Sequence, residues 1–195
     1  MSEQVDKLFE GGAIGSIIGR IIGLAEGNRT PDGGVTNNYY GHEDPGNGAW
    51  NVGNYSVNAA YYTFSSPEDA DAQYHEILRA EAEAVAPIIE VAGLDPSNAL
   101  LMASYLDVWN QSPSMARDGF LCTLPYLLRE GITPDTVLQA RIYAGDEGVG
   151  PGFNPTGVAH SSLWTDMEGL VADQGRRMEE IVKAINTVPP SYVGG

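Results

Sequence analysis

The segment "GAIGSIIGRIIGLAEG", residues 12–27, constrains the fold of this chain more than any other. Ile14, Ile17, Ile18, Ile21, Ile22 and Ala25 recur at the spacing of an amphipathic helix's apolar stripe. Beside them Gly15, Gly19, Gly23 and Gly27 recur every four residues. Each interior glycine costs about 1 kcal/mol relative to alanine, so packing and not propensity must hold such a helix. The bare strip has two uses: close approach of another backbone, or room for a ligand.

Residues 28–56 follow with acidic, amide, aromatic and glycine residues and few aliphatics. Such a stretch cannot own a core. It predicts turns and one or two short strands around "VTNNYYGH", leaning on the rest of the chain. Beyond it the signals are helical. "SSPEDADAQYHEILRAEAEAVA" opens with a serine cap, proline at the first helical position and acids in the first turn, and Pro87 is expected to kink or end it. Further helices are expected from Asp95–Pro96, through "SPSMARDGFLCTLPYLLREG" with a bend at Pro125, from Thr133–Pro134 to Gly145, and from about Asp166 to Thr187. The Gly/Pro-rich link "GDEGVGPGFNPTG" precedes the last helix, and "VPPSYVGG" forms a loose tail. The expected fold class is mainly α (α+β): one domain over 1–195, with a small polar lobe at 28–56 and a helical body at 66–187.

The formal net charge is −16, from 26 acidic and 10 basic residues. No basic stripe exists to displace counterions, so nucleic acid is excluded as an expected partner. No run approaches the roughly 18 apolar residues of a membrane span, which argues against membrane insertion. The N-terminus lacks the basic flank of a secretory signal. The expectation is cytoplasmic synthesis, with delivery to the cell envelope or incorporation into a particle by another route. Cys122, the sole cysteine, lies in the apolar run "GFLCTLPYLL" and reads as a small core residue.

Chemistry points to the junction of helix and lobe. Glu26 closes the apolar helix, with Gly27 where a left-handed cap belongs. A partly buried carboxylate facing the negative helix end is disfavoured, which suits a neutral general acid. A glutamine at this position is accordingly expected to leave stability unchanged or slightly higher. The bland alternative is a solvated glutamate at a fraying helix end. A second carboxyl would be Asp32 or Asp44, with Thr36 orienting water. Tyr40 and Trp50, among the lobe's aromatics Tyr39, Tyr40, Trp50 and Tyr55, offer faces on which sugars dock, although some of these rings must pack the lobe onto the body. His42 beside Glu43 and Asp44 is the only hint of a metal site, and "DPGNG" lacks the ligand set of a calcium loop. No metal or cofactor is expected. In "DQGRR", Asp173 is spaced to pair with Arg176 or Arg177, as a surface or inter-helix ion pair.

"IIGLAEG", followed by Asp32, Thr36 and "YYGH", resembles the phage-type lysozymes, which carry a glutamate at the end of an apolar helix and then an aspartate, a threonine and a glycine-histidine pair in a small β-lobe. "WNQSPSMAR", residues 109–117, is similar to the tryptophan–asparagine–glutamine–Ser/Thr–proline run of their helical lobe. In that family an arginine soon after the proline pairs with the catalytic glutamate; here Arg117 comes later than the pattern has it. The resemblance implies a lysozyme-like fold and a glycoside hydrolase acting on peptidoglycan. Glu26 would be the acid, Asp32 and Thr36 its catalytic companions, and Tyr40, His42, Asp44, Trp50, Asn110 and Gln111 the substrate contacts. The alternative is a non-catalytic structural or carbohydrate-binding module of a phage particle or secretion machine.

Overall fold

The computed structural model describes residues 3–44, 48–146, 156–159 and 163–187. The middle of the turn expected at "DPGNG" (45–47), most of the Gly/Pro-rich link and the C-terminal tail lie outside them. The chain is mainly α, with one small antiparallel sheet. The predicted first helix is divided. α1 (Glu3–Lys7) and α2 (Gly12–Gly15) precede α3 (Ile17–Ala25), because Ser16 turns extended and caps α3 by accepting from the Gly19 N–H at 3.0 Å. Ile14 thereby leaves the apolar stripe and is 40 % exposed, whereas Ile17, Ile18, Ile21 and Ile22 are buried.

α4 (Pro67–Val91) starts as predicted, with Ser66 accepting from Asp69 N–H, but it passes through Pro87 without ending. Pro87 and Glu83 share the exposed face, so the carbonyl that loses its N–H partner is left to solvent. α5 (Ala99–Gln111) begins three residues beyond Pro96. Asp95 is spent on a turn, accepting from the N–H and hydroxyl of Ser97, and Asn98 supplies the cap. Every residue from Leu101 to Trp109 is buried, which makes α5 the central helix. After a π turn (Met115–Gly119) and a 3-10 turn (Phe120–Thr123), α6 (Leu124–Glu130) carries Pro125 in its first turn, where it is tolerated. Cys122 is only half-buried, its thiol donating to the Asp118 carbonyl; the irregular turns point it away from the core. α7 (Pro134–Ala144) is capped by Thr133, and α8 (Met167–Thr187) lies along α3 while also meeting α5 and α7. No described helix is long and apolar enough to cross a membrane.

The sheet orders β1 (His42–Glu43), β2 (Trp50–Val52) and β3 (Val57–Asn58), pairing His42 with Asn51, Asn51 with Asn58 and Val52 with Val57. A 3-10 turn at Asn37–Tyr40 leads into it. Val52, Tyr55 and Val57 join the core of the helical body. Asn54 ties the β2–β3 loop down: its N–H donates to Asp71 on α4 at 2.6 Å, and its side-chain amide donates to the Gly19 carbonyl at 2.6 Å. The glycine strip explains this reach. A Cβ on Gly23 would sit 2.1 Å from Asn54 Oδ1, and one on Gly19 would sit 1.8 Å from the Ala13 carbonyl oxygen. At these two positions the strip serves close packing, not a ligand; Gly15 and Gly27 face open space.

Gly19→Ala is therefore expected to destabilise by about 1–3 kcal/mol, because backbone must move to admit the methyl. Gly15→Ala is neutral or slightly stabilising; equal losses in urea unfolding would reject this assignment. Asp71 supplies a pH test. Burial pushes its carboxyl up to about 7, against the lowering effect of the Asn54 N–H. The folded state then holds a proton that the unfolded chain releases near its ordinary range. Stability from this group is present at low pH and is lost as pH rises through about 7. Melting from pH 4 to 8 should show Asp71→Asn gaining on the wild type as pH rises.

Candidate functional site

Glu26 is the residue that closes α3. Gly27 follows at φ 76°, and the Asn28 and Arg29 N–H groups both return to the Gly23 carbonyl, so the helix end is tightly wound. Two consecutive arginines of α8 meet this end. Arg176 donates to the Ala25 carbonyl at 2.8 Å, and Arg177 donates to Glu26 Oε1 at 2.8 Å. Cations at a helix C-terminus offset its partial negative charge. The Glu26 side chain retains 12 % of its exposure and Arg177 11 %. Arg177 is a cation that the helix position of Glu26 alone does not reveal, and it faces the carboxyl directly.

Asn110, at the end of α5, donates its side-chain amide to Glu26 Oε1 at 2.9 Å and to the Tyr55 carbonyl at 3.3 Å. The "WNQSP" corner and the helix-end glutamate, 84 positions apart, thus meet at one oxygen. Glu26 Oε2 has no hydrogen-bond partner among the described residues. Gln111 lies one step further back. Its amide donates to Asp107, and its own carbonyl accepts from Gln174. Asp107, fully buried, holds Arg177 through Oδ1 at 3.1 Å and Arg141 through Oδ2 at 2.5 Å. Arg141, also fully buried, donates further to Gln174 and to the Ser104 carbonyl. Asp173 accepts from both Arg176 and Arg177.

Three carboxylates (Glu26, Asp107, Asp173) therefore face three guanidiniums (Arg141, Arg176, Arg177). Burial by itself would lower Arg177, but the Glu26 and Asp107 carboxylates outweigh it and hold this guanidinium well above its ordinary value. Burial lowers Arg141, with Asp107 opposing. The expectation of a surface or simple inter-helix pair for "DQGRR" covered only the Asp173 contacts; Arg177 is an interior residue. Arg117 does not pair with Glu26. It holds Glu81, which also accepts from the Tyr105 hydroxyl.

Aromatic rings back the site on one side. Tyr74 of α4 lies between Tyr55, Tyr62 and Trp109 at centroid distances of 5.7, 5.6 and 6.2 Å. Its hydroxyl is held above its ordinary value, first by burial and then by the fields of Tyr62 and Glu26.

The other predicted residues are placed differently. Asp32 is exposed and accepts from the Thr30 hydroxyl, which with the Gly34 N–H holds its carboxyl below the usual range; it makes no bond to Glu26. The Thr36 hydroxyl donates to the Gly27 carbonyl at 2.9 Å, beside Glu26 in the chain. His42 Nδ1 is 3.0 Å from the Asn38 carbonyl, and Asp44 forms backbone bonds with Gly48 and Ala49. Tyr40 and Trp50 are 65 % and 53 % exposed, the Trp50 indole lying over Gly41. Of the predicted set, then, Glu26, Asn110, Gln111 and Thr36 gather at the helix end, and the rest decorate the lobe. Among the described residues no group of three or more His, Cys, Asp and Glu side chains is arranged around a metal ion.

Asp107, Arg141, Arg177 and Tyr74 escaped the sequence analysis as site residues. Asp107 had one local signal, a charge inside the apolar run "LLMASYLDVW". A buried charge requires a partner, but nothing local names it. Comparison with protein-family models, with curated proteins and with solved structures finds no match.

The network predicts a sharp contrast in stability. Asp107→Ala leaves Arg141 buried and unpaired, and should cost about 3–5 kcal/mol in chemical unfolding. Arg129→Ala breaks an exposed pair with Glu130 and should cost under about 1 kcal/mol.

Proposed function

We propose that this chain is a lysozyme-like glycoside hydrolase acting on peptidoglycan, with Glu26 as its general acid. The observation that carries the reading is the 2.9 Å bond from Asn110 to Glu26 Oε1. Two separate motifs of one resemblance converge there on the carboxyl that the chemistry needs. Asn110 and Arg177 hold Oε1, which leaves Oε2 as the oxygen from which a proton would pass to a glycosidic oxygen. Hydrolysis then breaks the bond between the anomeric carbon and that oxygen while water adds to the carbon. Asp32 is the less favoured second carboxyl, since it is exposed and turned to Thr30. Asp44 and Thr36 remain the candidates for guiding water.

A second reading draws on a different observation. Arg177 neutralises Glu26 within a closed ionic network, which is how a purely structural glutamate would be held. The −16 charge also gives no attraction to an anionic cell wall. On that reading the protein is a non-catalytic lysozyme-like or carbohydrate-binding module of a larger phage or secretion assembly.

Clearing of a cell-wall suspension separates the two. Wild type should clear it, and Glu26→Gln should lose at least about 10²-fold in rate, the usual contribution of a general acid. Because Arg177 faces Glu26, the glutamine variant should also melt lower, by the equivalent of about 1–3 kcal/mol, contrary to the expectation from helix position alone. Wild type that binds cell wall without clearing it supports the module. A Glu26→Gln protein keeping more than about a tenth of the rate excludes the acid role.

A further inference from the structure

Ten glycines among the described residues have positive φ, and one other residue does: Ser56, at φ 54°. Left-handed backbone is costly for a residue with a side chain and free for glycine. Among the described residues this demand is therefore met with glycine everywhere but once. Ser56 ends the four-residue loop between β2 and β3, its N–H returning to the Gly53 carbonyl, a position that glycine or asparagine fills with less strain. A residue kept in strained backbone directs attention to what its side chain does there.

The side chain of Ser56 is held in place. Its Oγ accepts from the Asn28 amide at 2.8 Å, and the same amide donates to the Asn54 carbonyl at 3.3 Å. Asn28 is fully buried, so it is a rigid support. Ser56 itself is half-buried. With its oxygen engaged as an acceptor, the hydroxyl proton has no acceptor among the described residues. Thr36, the hydroxyl that sequence singled out, donates its proton to the Gly27 carbonyl instead.

The location links Ser56 to Glu26. The carbonyl of the preceding residue, Tyr55, accepts from Asn110 Nδ2, the amide that also donates to Glu26 Oε1. One side-chain amide thus joins the strained loop to the candidate acid. We propose that Ser56 is a substrate-contacting residue of the Glu26 site, its hydroxyl donating a hydrogen bond to an oxygen of a bound saccharide. This rests on the glycoside hydrolase reading and adds to it a donor that the resemblance does not supply.

The test compares the full-length wild type with Ser56→Gly and Ser56→Ala, using solubilised peptidoglycan strands and thermal melting. Ser56→Gly removes both the strain and the donor. It should melt at or above wild type, yet lose about tenfold in kcat/KM, carried by KM, as expected when a binding contact is removed. Ser56→Ala keeps the strain and should lose the same factor without any gain in melting temperature. A merely structural serine predicts the reverse for the glycine variant: full activity with improved stability. Active wild type with unimpaired Ser56→Gly overturns this proposal alone. Wild type without turnover overturns the hydrolase reading and this proposal with it.

Discussion

Asp107 sits without solvent exposure between two guanidiniums, and the arrangement of the helical body depends on it. A carboxylate on the central helix cannot be buried alone, since desolvation would cost several kcal/mol after relaxation. Arg141 brings α7 to one of its oxygens and Arg177 brings α8 to the other. Arg177 then extends to Glu26, which connects α8 to the end of α3. One interior anion thus sets how four helices meet. Oil-like packing of Ile18, Leu101, Leu106 and Ile181 drives the collapse but would tolerate other rotations of the helices. The ionic contacts, which are directional, select one.

The same geometry limits what Glu26 can be. The carboxyl is neither loosely solvated nor isolated in apolar surroundings. It is held through Oε1 by a cation and an amide, while Oε2 has no hydrogen-bond partner among the described residues. A general acid must first carry a proton, and the cation of Arg177 favours the charged carboxylate, so the acid role requires the contact with Arg177 to be weakened before Glu26 can take up the proton it donates. A purely structural glutamate has no such requirement. This tension is the physical difference between the hydrolase and the module readings.

The lobe is coupled to this site through the glycine strip and the β2–β3 loop. Gly19 and Gly23 bring backbone and Asn54 against α3, Asp71 anchors the Asn54 N–H from α4, and Asn110 takes hold of the Tyr55 carbonyl from α5. Three helices of the body therefore grip a single four-residue loop. The exposed aromatics Tyr40 and Trp50 extend from a lobe fixed at its base, so any ligand they touch meets a preorganised surface.

Local chemistry by itself determined the mainly α class, the caps at Ser66 and Thr133, the left-handed turn at Gly27 and the convergence of interest on Glu26. These follow from contacts within about one helical turn, which a sequence displays directly. The same locality misjudged Ser16, whose hydroxyl wins the Gly19 N–H and splits a helix that periodicity runs through. Pairing of Asp173 with Arg176 and Arg177 was visible at i+3 and i+4 spacing, but the partner of Arg177 that matters for the site lies 151 positions away. Only tertiary packing decided that Arg177 and not Arg117 meets Glu26, that Asp32 turns outward, and that Ser56 bears the left-handed backbone of the β2–β3 loop. Those outcomes depend on which elements pack together, and electrostatic attraction between buried groups is decided by distance in space, not by separation along the chain.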